Sequence, residues 1–227
     1  MIIFKNITKI YPNNIIALEN VSFEVEAGEF VFLIGKSGAG KSTVLKILRR
    51  EEEPSKGAVY FKSKNILDLP SRRLNEIRKR IAIIHQDFKL LNKKTVFENI
   101  ALPLEIIGKS YSEIKKEVYY IAEKLKIKGR LDQIAESLSG GEKQKVCLAR
   151  CLVYKPELIL ADEPTGNLDP IATYEIIEIL KDINKAGISI ILATHNKEVV
   201  DSLKKRVLIL ESGRLIKDEN PGKYSLL

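Results

Sequence analysis

Cysteine and histidine are scarce in this sequence, each occurring only twice in 227 residues. Cys147 and Cys151 stand four residues apart in a helical pattern, which puts them on one helix face, and no histidine lies beside them. Two cysteines at this spacing do not make a metal-binding set. We therefore interpret both as small apolar side chains of a cytosolic protein.

Long hydrophobic runs are missing as well. The longest apolar stretches, such as residues 188–193, are far shorter than the roughly 18 residues needed to cross a bilayer. The N-terminal segment has no charged leader followed by a long apolar run, so we expect no signal peptide. If the protein acts at a membrane, another chain has to supply the membrane part.

Acidic residues are outnumbered by basic ones, 30 against 38, which gives a formal net charge of +8. Such a chain either has an ordinary solvated surface or is attracted to an anionic membrane face or to nucleic acid. Aromatic residues do not interleave with the basic ones, so we expect no nucleic-acid partner. The basic residues are spread along the chain, except for a group formed by Arg72, Arg73, Arg78, Lys79 and Arg80.

Short β-branched runs alternate with helical patterns along most of the chain. Several runs are apolar on both faces, as buried parallel strands are, and the alternation predicts an α/β fold with a mostly parallel sheet. The predicted strands are Ile2–Ile7, Phe30–Ile34, Ala58–Phe61, Ile81–Ile84, Leu158–Ala161, Ile188–Ala193 and Val207–Leu210. The predicted helices are Lys41–Arg49, Ser112–Lys126, Gly141–Val153 and Ile171–Ala186.

The two ends of the chain break this alternation. The first 25 or so residues and the last 20 predict hairpin-type strands, with turns at Pro12-Asn13-Asn14 and Glu211-Ser212-Gly213. The polar stretch from about Asp87 to Ser137 is mostly helical and predicts an inserted subdomain. We expect one domain over residues 1–227, in which residues 1–86 and 155–227 form the core with a β subdomain and residues 87–154 form the helical subdomain.

A glycine-rich segment follows the apolar run Phe30–Ile34 and fits the P-loop pattern G-x-x-x-x-G-K-[ST]. Its glycines let backbone N–H groups turn inward around phosphates, and the helix that follows adds the positive end of its dipole. Lys41 is placed to reach the β- and γ-phosphates, and the Ser42 hydroxyl to bind Mg²⁺. The predicted nucleotide-binding residues here are Gly35, Ser37, Gly38, Ala39, Gly40, Lys41, Ser42 and Thr43.

An acidic pair, Asp162-Glu163, follows the apolar run Leu158–Ala161. The end of a parallel strand is where ligands bind such sheets. In combination with a P-loop, Asp162 is suited to the surroundings of Mg²⁺ and Glu163 to polarising the attacking water.

Ser139-Gly140-Gly141-Glu142 stands at the start of a predicted helix. Ser139 and Glu142 predict a capping box, which by itself would explain the serine. The two glycines are costly at a helix start, and we interpret them as allowing a phosphate close to the backbone. One chain then carries two γ-phosphate sites, which pair in a head-to-tail dimer with two-fold symmetry.

The Ser-Gly-Gly-Glu stretch resembles the signature motif of ATP-binding cassette proteins, and the remaining motifs follow in the order of that family. Gln86 is similar to the glutamine that senses the γ-phosphate through Mg²⁺ and water. Asp169, in Asn167-Leu168-Asp169, resembles the D-loop, and His195 the switch histidine. Tyr11 resembles the aromatic residue on which adenine stacks. The resemblance covers nearly the whole chain and implies a P-loop NTPase core, ATP and Mg²⁺ as cofactors, and a homodimer that closes around ATP.

Local strings narrow the resemblance to the cell-division branch of these cassettes, which implies a peripheral protein at the cytoplasmic face of the membrane, driving an integral membrane partner. The related cassettes of lipoprotein-release or macrolide-efflux exporters remain an alternative, and so does an ATP-gated scaffold with slow hydrolysis. Departures from the family pattern occur at Lys36, His85 and Lys145, none of which has a phosphate or water role. The strings concerned are Arg49-Arg50-Glu51-Glu52-Glu53-Pro54, Gln86-Asp87-Phe88-Lys89-Leu90-Leu91 and residues 161–170.

Overall fold

Two β-sheets organise the protein, whose computed structural model describes residues 1–225. The last two residues of the predicted domain lie outside this part. The strands are β1 (Ile2–Tyr11), β2 (Ile15–Val25), β3 (Phe30–Ile34), β4 (Lys56–Phe61), β5 (Lys64–Asn65), β6 (Ile81–Ile84), β7 (Leu158–Asp162), β8 (Ser189–Ala193), β9 (Arg206–Glu211) and β10 (Arg214–Glu219). The helices are α1 (Lys41–Leu48), α2 (Leu74–Arg80), α3 (Val96–Ile106), α4 (Tyr111–Lys124), α5 (Gly140–Leu152), α6 (Pro170–Lys185) and α7 (Lys197–Leu203).

The larger sheet has six strands in the order β10-β9-β3-β8-β7-β6. All neighbours are parallel except β9 and β10, which form an antiparallel hairpin. Successive residues of β3 face opposite clusters of buried side chains: Phe32 belongs to a core shared with α3 to α6, and Leu33 to a core shared with α1 and the smaller sheet. The fully apolar strands of the sequence are therefore explained by burial on both sheet faces.

The smaller sheet is antiparallel, with the strand order β2-β1-β4-β5. The turn between β1 and β2 contains Asn13 and Asn14 with positive φ angles of 65° and 58°, which asparagine tolerates better than most residues. Phe4 and Phe23 stack across this hairpin with their ring centroids 4.9 Å apart. The α/β fold and the hairpins at both ends are thus confirmed.

Three helices, α3, α4 and α5, lie between β6 and β7 in the chain. Each begins with a capping box, in which a serine or threonine and a glutamate three residues on satisfy each other's backbone N–H groups. The predicted helix Ser112–Lys126 extends too far, because Lys126 has a positive φ of 57° and the helix ends at Lys124. The predicted strand Ile2–Ile7 is too short, since pairing with β2 continues to Tyr11.

The topology brings four chain segments to one edge of the larger sheet. The parallel strands β3, β6, β7 and β8 end there, and each leads directly into a predicted motif. The carboxyl edge of such a sheet is the usual place for a ligand. Among the described helices, none is both long and apolar enough to cross a membrane.

Candidate functional site

The turn between β3 and α1 has a backbone that only glycine permits at its last position. Gly40 has a φ of 104°, and a Cβ there would lie 2.6 Å from the Ala17 oxygen and 2.7 Å from Leu18 Cδ2. The turn is therefore pressed against β2, and α1 starts directly at Lys41. The first residues of the helix, Lys41 to Thr43, line the same cavity as the turn, which is the arrangement of a phosphate-binding loop.

The Lys41 side chain is buried beneath this turn, with 9% of the residue exposed. Its ammonium group donates hydrogen bonds to the backbone oxygens of Gly35 at 2.8 Å and Lys36 at 3.3 Å. A charged donor is thus held at the centre of the loop by carbonyl groups, close to where phosphates would lie.

Glu163 and His195 form a pair at the ends of β7 and β8. His195 Nδ1 lies 2.7 Å from Glu163 Oε1, and the His195 backbone N–H donates to Oε2 at 3.3 Å. Because an ionised carboxylate only accepts, the ring proton belongs on Nδ1 in this contact. The histidine therefore contacts both oxygens of the carboxylate.

Gln86 and Asp162 lie beside this pair. Asp162 ends β7 in register with Ala193 of β8. The backbone oxygen of Gln86 accepts a hydrogen bond from Asn167 Nδ2 at 3.3 Å, so the segment after β6 touches the loop after β7. A serine hydroxyl, an amide and a carboxylate, from Ser42, Gln86 and Asp162, line one cavity, and oxygen ligands of this kind suit Mg²⁺.

These residues share a cavity of about 560 Å³. It brings together the predicted P-loop residues and the predicted residues Gln86, Asp162, Glu163 and His195. Of the other predicted site residues, Tyr11, Ser139, Gly140, Gly141 and Asp169 are not among those that line it. The lining consists of Ala17, Gly35, Lys36, Ser37, Gly38, Ala39, Gly40, Lys41, Ser42, Thr43, Gln86, Asp162, Glu163, His195 and Tyr224.

The Ser-Gly-Gly-Glu segment starts α5 with the expected capping box. The Ser139 N–H donates to Glu142 Oε2 at 2.9 Å, and the Glu142 N–H to Ser139 Oγ at 3.3 Å. Hydrogen bonding from the backbone and hydroxyl of Ser139, and from Arg130, lowers the pKa of Glu142 against the effect of burial. The box therefore holds a carboxylate in its ionised form at the helix start.

The two glycines of this segment have a packing reason that the sequence alone did not reveal. A Cβ on Gly140 would lie 3.1 Å from Leu168 Cδ2, and one on Gly141 would lie 3.0 Å from the Ala172 Cβ. Both distances are shorter than most real contacts of a Cβ. The start of α5 thus packs closely on the loop before α6 and on the first turn of α6 within the same chain.

Known proteins resemble this chain closely. A family model described as ABC transporter matches residues 18–166, more than half of the chain. The chain belongs to this family. The Cell division ATP-binding protein FtsE of Bacillus subtilis (strain 168) is 44% identical over 224 residues, covering 99% of this chain and 98% of the relative.

Solved structures agree with this assignment. The dimeric structure of MJ0796, a bacterial ABC transporter cassette, has a TM-score of 0.89 and 33% identity, covering 99% of this chain and 100% of the other. A second MJ0796 structure, with the same scores and coverage, is a post-hydrolysis state bound to ADP and Pi. The chain is therefore an ATP-binding cassette with ATPase activity, and its similarity to FtsE extends over nearly its full length.

Two predicted residues of the cassette have structural partners outside the cavity. Asp169 caps α6, because its Oδ1 accepts from the Ala172 N–H at 2.9 Å. Tyr11 ends β1, and the Lys9 ammonium lies 4.8 Å from the centroid of its ring. Lys9 in turn makes an ion pair of 2.8 Å with Glu52.

Helix α5 of the cassette also holds the segment after Gln86. The Phe88 oxygen accepts from Cys147 Sγ at 3.0 Å and from Arg150 Nη2 at 3.0 Å, while Arg150 Nη1 donates to the Lys89 oxygen at 2.6 Å. Burial raises the pKa of Cys147 to about 12 and that of Cys151 to about 11. Both thiols stay protonated, as expected of buried structural cysteines.

Three residues of the cavity lining were missed by the sequence motifs: Ala17, Lys36 and Tyr224. Lys36 stands inside the P-loop pattern, where it was noticed only as a departure from the family. Ala17 lies on β2, and Tyr224 lies beyond β10, so both reach the cavity only through folding. Nothing in their local sequence signals a role at a nucleotide site.

Proposed function

We propose that this cassette hydrolyses ATP with Glu163 polarising the attacking water and His195 holding the Glu163 carboxylate in place. The observation that carries the proposal is the 2.7 Å contact between the two side chains inside the cavity of the P-loop. A carboxylate fixed by a neighbour can act on water without first reorienting.

In this proposal Lys41 leaves the carbonyl groups of Gly35 and Lys36 for the β- and γ-phosphates, where its charge is better compensated. Ser42, Gln86 and Asp162 would hold Mg²⁺, whose charge would offset that of the phosphates. Tyr11 stacks against adenine from the end of β1, outside the phosphate end of the cavity.

We further propose that two copies close head to tail around ATP. The capped start of α5, with Ser139, Gly140 and Gly141, then covers the γ-phosphate in the P-loop of the second copy, and Asp169 lies at the same interface. Support comes from the position of these residues outside the cavity of their own chain and from the dimeric state given for MJ0796. We also propose that the chain divides into a core with a β subdomain and a helical subdomain over residues 87–154. Closure of the dimer would move the helical subdomain against the core.

The biological role proposed here is that of the FtsE subunit of an FtsE–FtsX complex. The cassette would work at the cytoplasmic face of the cell membrane, and its motion would pass through an FtsX-like integral membrane partner to control peptidoglycan hydrolases. Similarity to the cell-division protein over nearly the whole chain supports this role. Purification of the cassette from solubilised membranes, followed by mass spectrometry, tests it: recovery of a different membrane partner would refute it.

Replacement of Glu163 by Gln tests the hydrolytic assignment. The amide keeps the shape of the side chain but cannot polarise water as a carboxylate does, so turnover should fall by about 10² or more while ATP binding persists. Phosphate release and ATP binding are measured on the same preparation.

The matched control is Glu76→Gln, an equivalent change at an exposed position on α2. It should leave turnover unchanged. Normal turnover by the Glu163 variant would show that another group activates the water.

A further inference from the structure

The chain after β10 passes the start of β9 before Tyr224 reaches the cavity. The Gly222 N–H donates to the Lys205 oxygen at 3.0 Å. A Cβ on Gly222 would lie 2.4 Å from Val207 Cγ2, so the backbone lies directly on β9. The path of this segment is therefore defined by tight contacts.

Tyr224 is anchored to the helix that follows His195. Its backbone N–H donates to Asp201 Oδ1 on α7 at 2.8 Å, and its half-buried side chain packs against the larger core. The residue lines the cavity together with Glu163 and His195. Burial, and secondarily the negative charge of Glu163, raise the pKa of Tyr224, so the phenol keeps its proton near neutral pH.

We propose that Tyr224 is a positioning residue for ATP hydrolysis: once nucleotide is bound, its phenol O–H would donate to the Glu163 carboxylate, a contact that the two residues do not make in this structure, and hold it in the orientation that polarises water. The inference rests on the role proposed above for Glu163. His195 reaches one lone-pair region of each Glu163 oxygen, and a carboxylate has about four such sites, so acceptor capacity remains for a third donor.

A phenol is well suited to this task. It donates a hydrogen bond without a positive charge, so it would not compete with Lys41 for the phosphates. Its ring packs against the core and its backbone is bonded to Asp201, which keeps the side chain at the cavity that Glu163 also lines. The cavity is then completed by a segment that stands far from every nucleotide-binding motif in the sequence.

Tyr224→Phe removes the hydroxyl and keeps the ring, so it separates the effects of the two groups. In the 227-residue chain, kcat for ATP should fall about 3- to 10-fold, the effect of losing one hydrogen bond, while KM and the Kd for ATP stay unchanged. Tyr224→Ala should lower kcat at least as much. Tyr120→Phe, on the exposed face of α4, is the control and should behave like the wild type.

Asp201 allows the same test without any change in the cavity. Asp201→Ala removes the acceptor for the Tyr224 N–H and should lower kcat with unchanged Kd. Asp201→Asn keeps a side-chain oxygen in the same place and should restore kcat. If Tyr224→Ala fails to fold in a thermal melt, Tyr224→Phe and the Asp201 pair still decide the question.

Three results would overturn the proposal. Normal kcat in Tyr224→Phe with low kcat in Tyr224→Ala would mean that only the ring packs. A higher kcat in Tyr224→Ala or Asp201→Ala would mean that the segment obstructs the cavity. If Tyr224→Phe lowered kcat of the Glu163→Gln variant by the same factor as it lowers kcat of the wild type, the two side chains would act independently. Unimpaired turnover in Glu163→Gln alone would instead refute the proposed role of Glu163.

Discussion

Glu163 shows how much local strain a single position of this cassette carries. Its φ is 48°, in the left-handed region that non-glycine residues rarely occupy, which costs of the order of 1–3 kcal/mol. Its N–H donates to the Ala193 oxygen at 2.9 Å, and its carboxylate is held by His195. The neighbouring strand and the histidine together maintain a conformation that an isolated chain would avoid.

At the same scale, the neighbours Leu90 and Leu91 have different surroundings. Leu90 is half-buried and packs against the larger core, whereas Leu91 is 44% exposed. We propose that the apolar side chain of Leu91, with lysines at positions 89, 93 and 94 close to it in the sequence, docks a cytoplasmic helix of the membrane partner. A few apolar anchors carry most of the energy of such a contact.

Leu91→Ser should therefore weaken recruitment to membranes that contain the partner, while ATP binding by the isolated cassette is unchanged. Co-sedimentation with membranes measures the first and nucleotide titration the second. Tyr120→Ser, a similarly exposed position on α4, is the control. Leu90→Ser should mainly lower the melting temperature. Intact recruitment of the Leu91 variant would remove this residue from the docking surface.

Helices α4 and α5 of the cassette begin with the same kind of capping box but differ in their proposed roles. Ser110 and Glu113 cap α4 with the same capping box that Ser139 and Glu142 form on α5. Of these two helix starts, only that of α5 is proposed to meet a phosphate. The pair thus offers an internal comparison between a cap that stabilises a helix and a cap that also binds a ligand.

Ser139→Asp and Ser110→Asp exploit this pairing. Aspartate caps helices about as well as serine, so Ser139→Asp should keep the melting temperature, whereas Ser110→Asp also loses the hydroxyl bond to Glu113 and should lower it slightly. The added negative charge at residue 139 should repel the γ-phosphate and lower turnover by about 10² or more, while Ser110→Asp keeps full turnover. Melting curves and phosphate release are the measurements. Equal turnover in the two variants would leave Ser139 with a capping role alone.

For the whole molecule, the proposed head-to-tail closure can be tested with two variants combined in one dimer. A mixed dimer of Lys41→Ala and Ser139→Asp chains has one site with both defects and one site with neither. Each variant alone should be nearly inactive. Lys41→Ala removes the charge that meets the phosphates, and Ser139→Asp repels the γ-phosphate. Mixing the two should restore phosphate release, whereas sites formed within one chain would stay inactive at every mixing ratio.

The sequence by itself was enough to predict the motifs and the helices and strands that carry them. The P-loop at Gly35–Thr43, the Asp162-Glu163 pair and the capping box of Ser139 depend on neighbours within a few residues, so local patterns reveal them. The strands Phe30–Ile34 and Ile81–Ile84 were predicted with their observed limits, because burial on both faces leaves an uninterrupted apolar run. The ends of α4 and β1 were not predicted correctly. The left-handed residue Lys126 decided the end of α4, and pairing with β2 decided the end of β1.

Only the tertiary structure decided which distant segments meet. The edge of the parallel sheet places Gln86, Glu163 and His195 in one cavity, and the return of the chain after β10 adds Tyr224 to it. The close contacts of Gly140 with Leu168 and of Gly141 with Ala172 likewise depend on the packing of α5 on α6. Such contacts join residues that are far apart in the chain, and their free energy arises from burial and shape at the point of contact, so no local pattern encodes them.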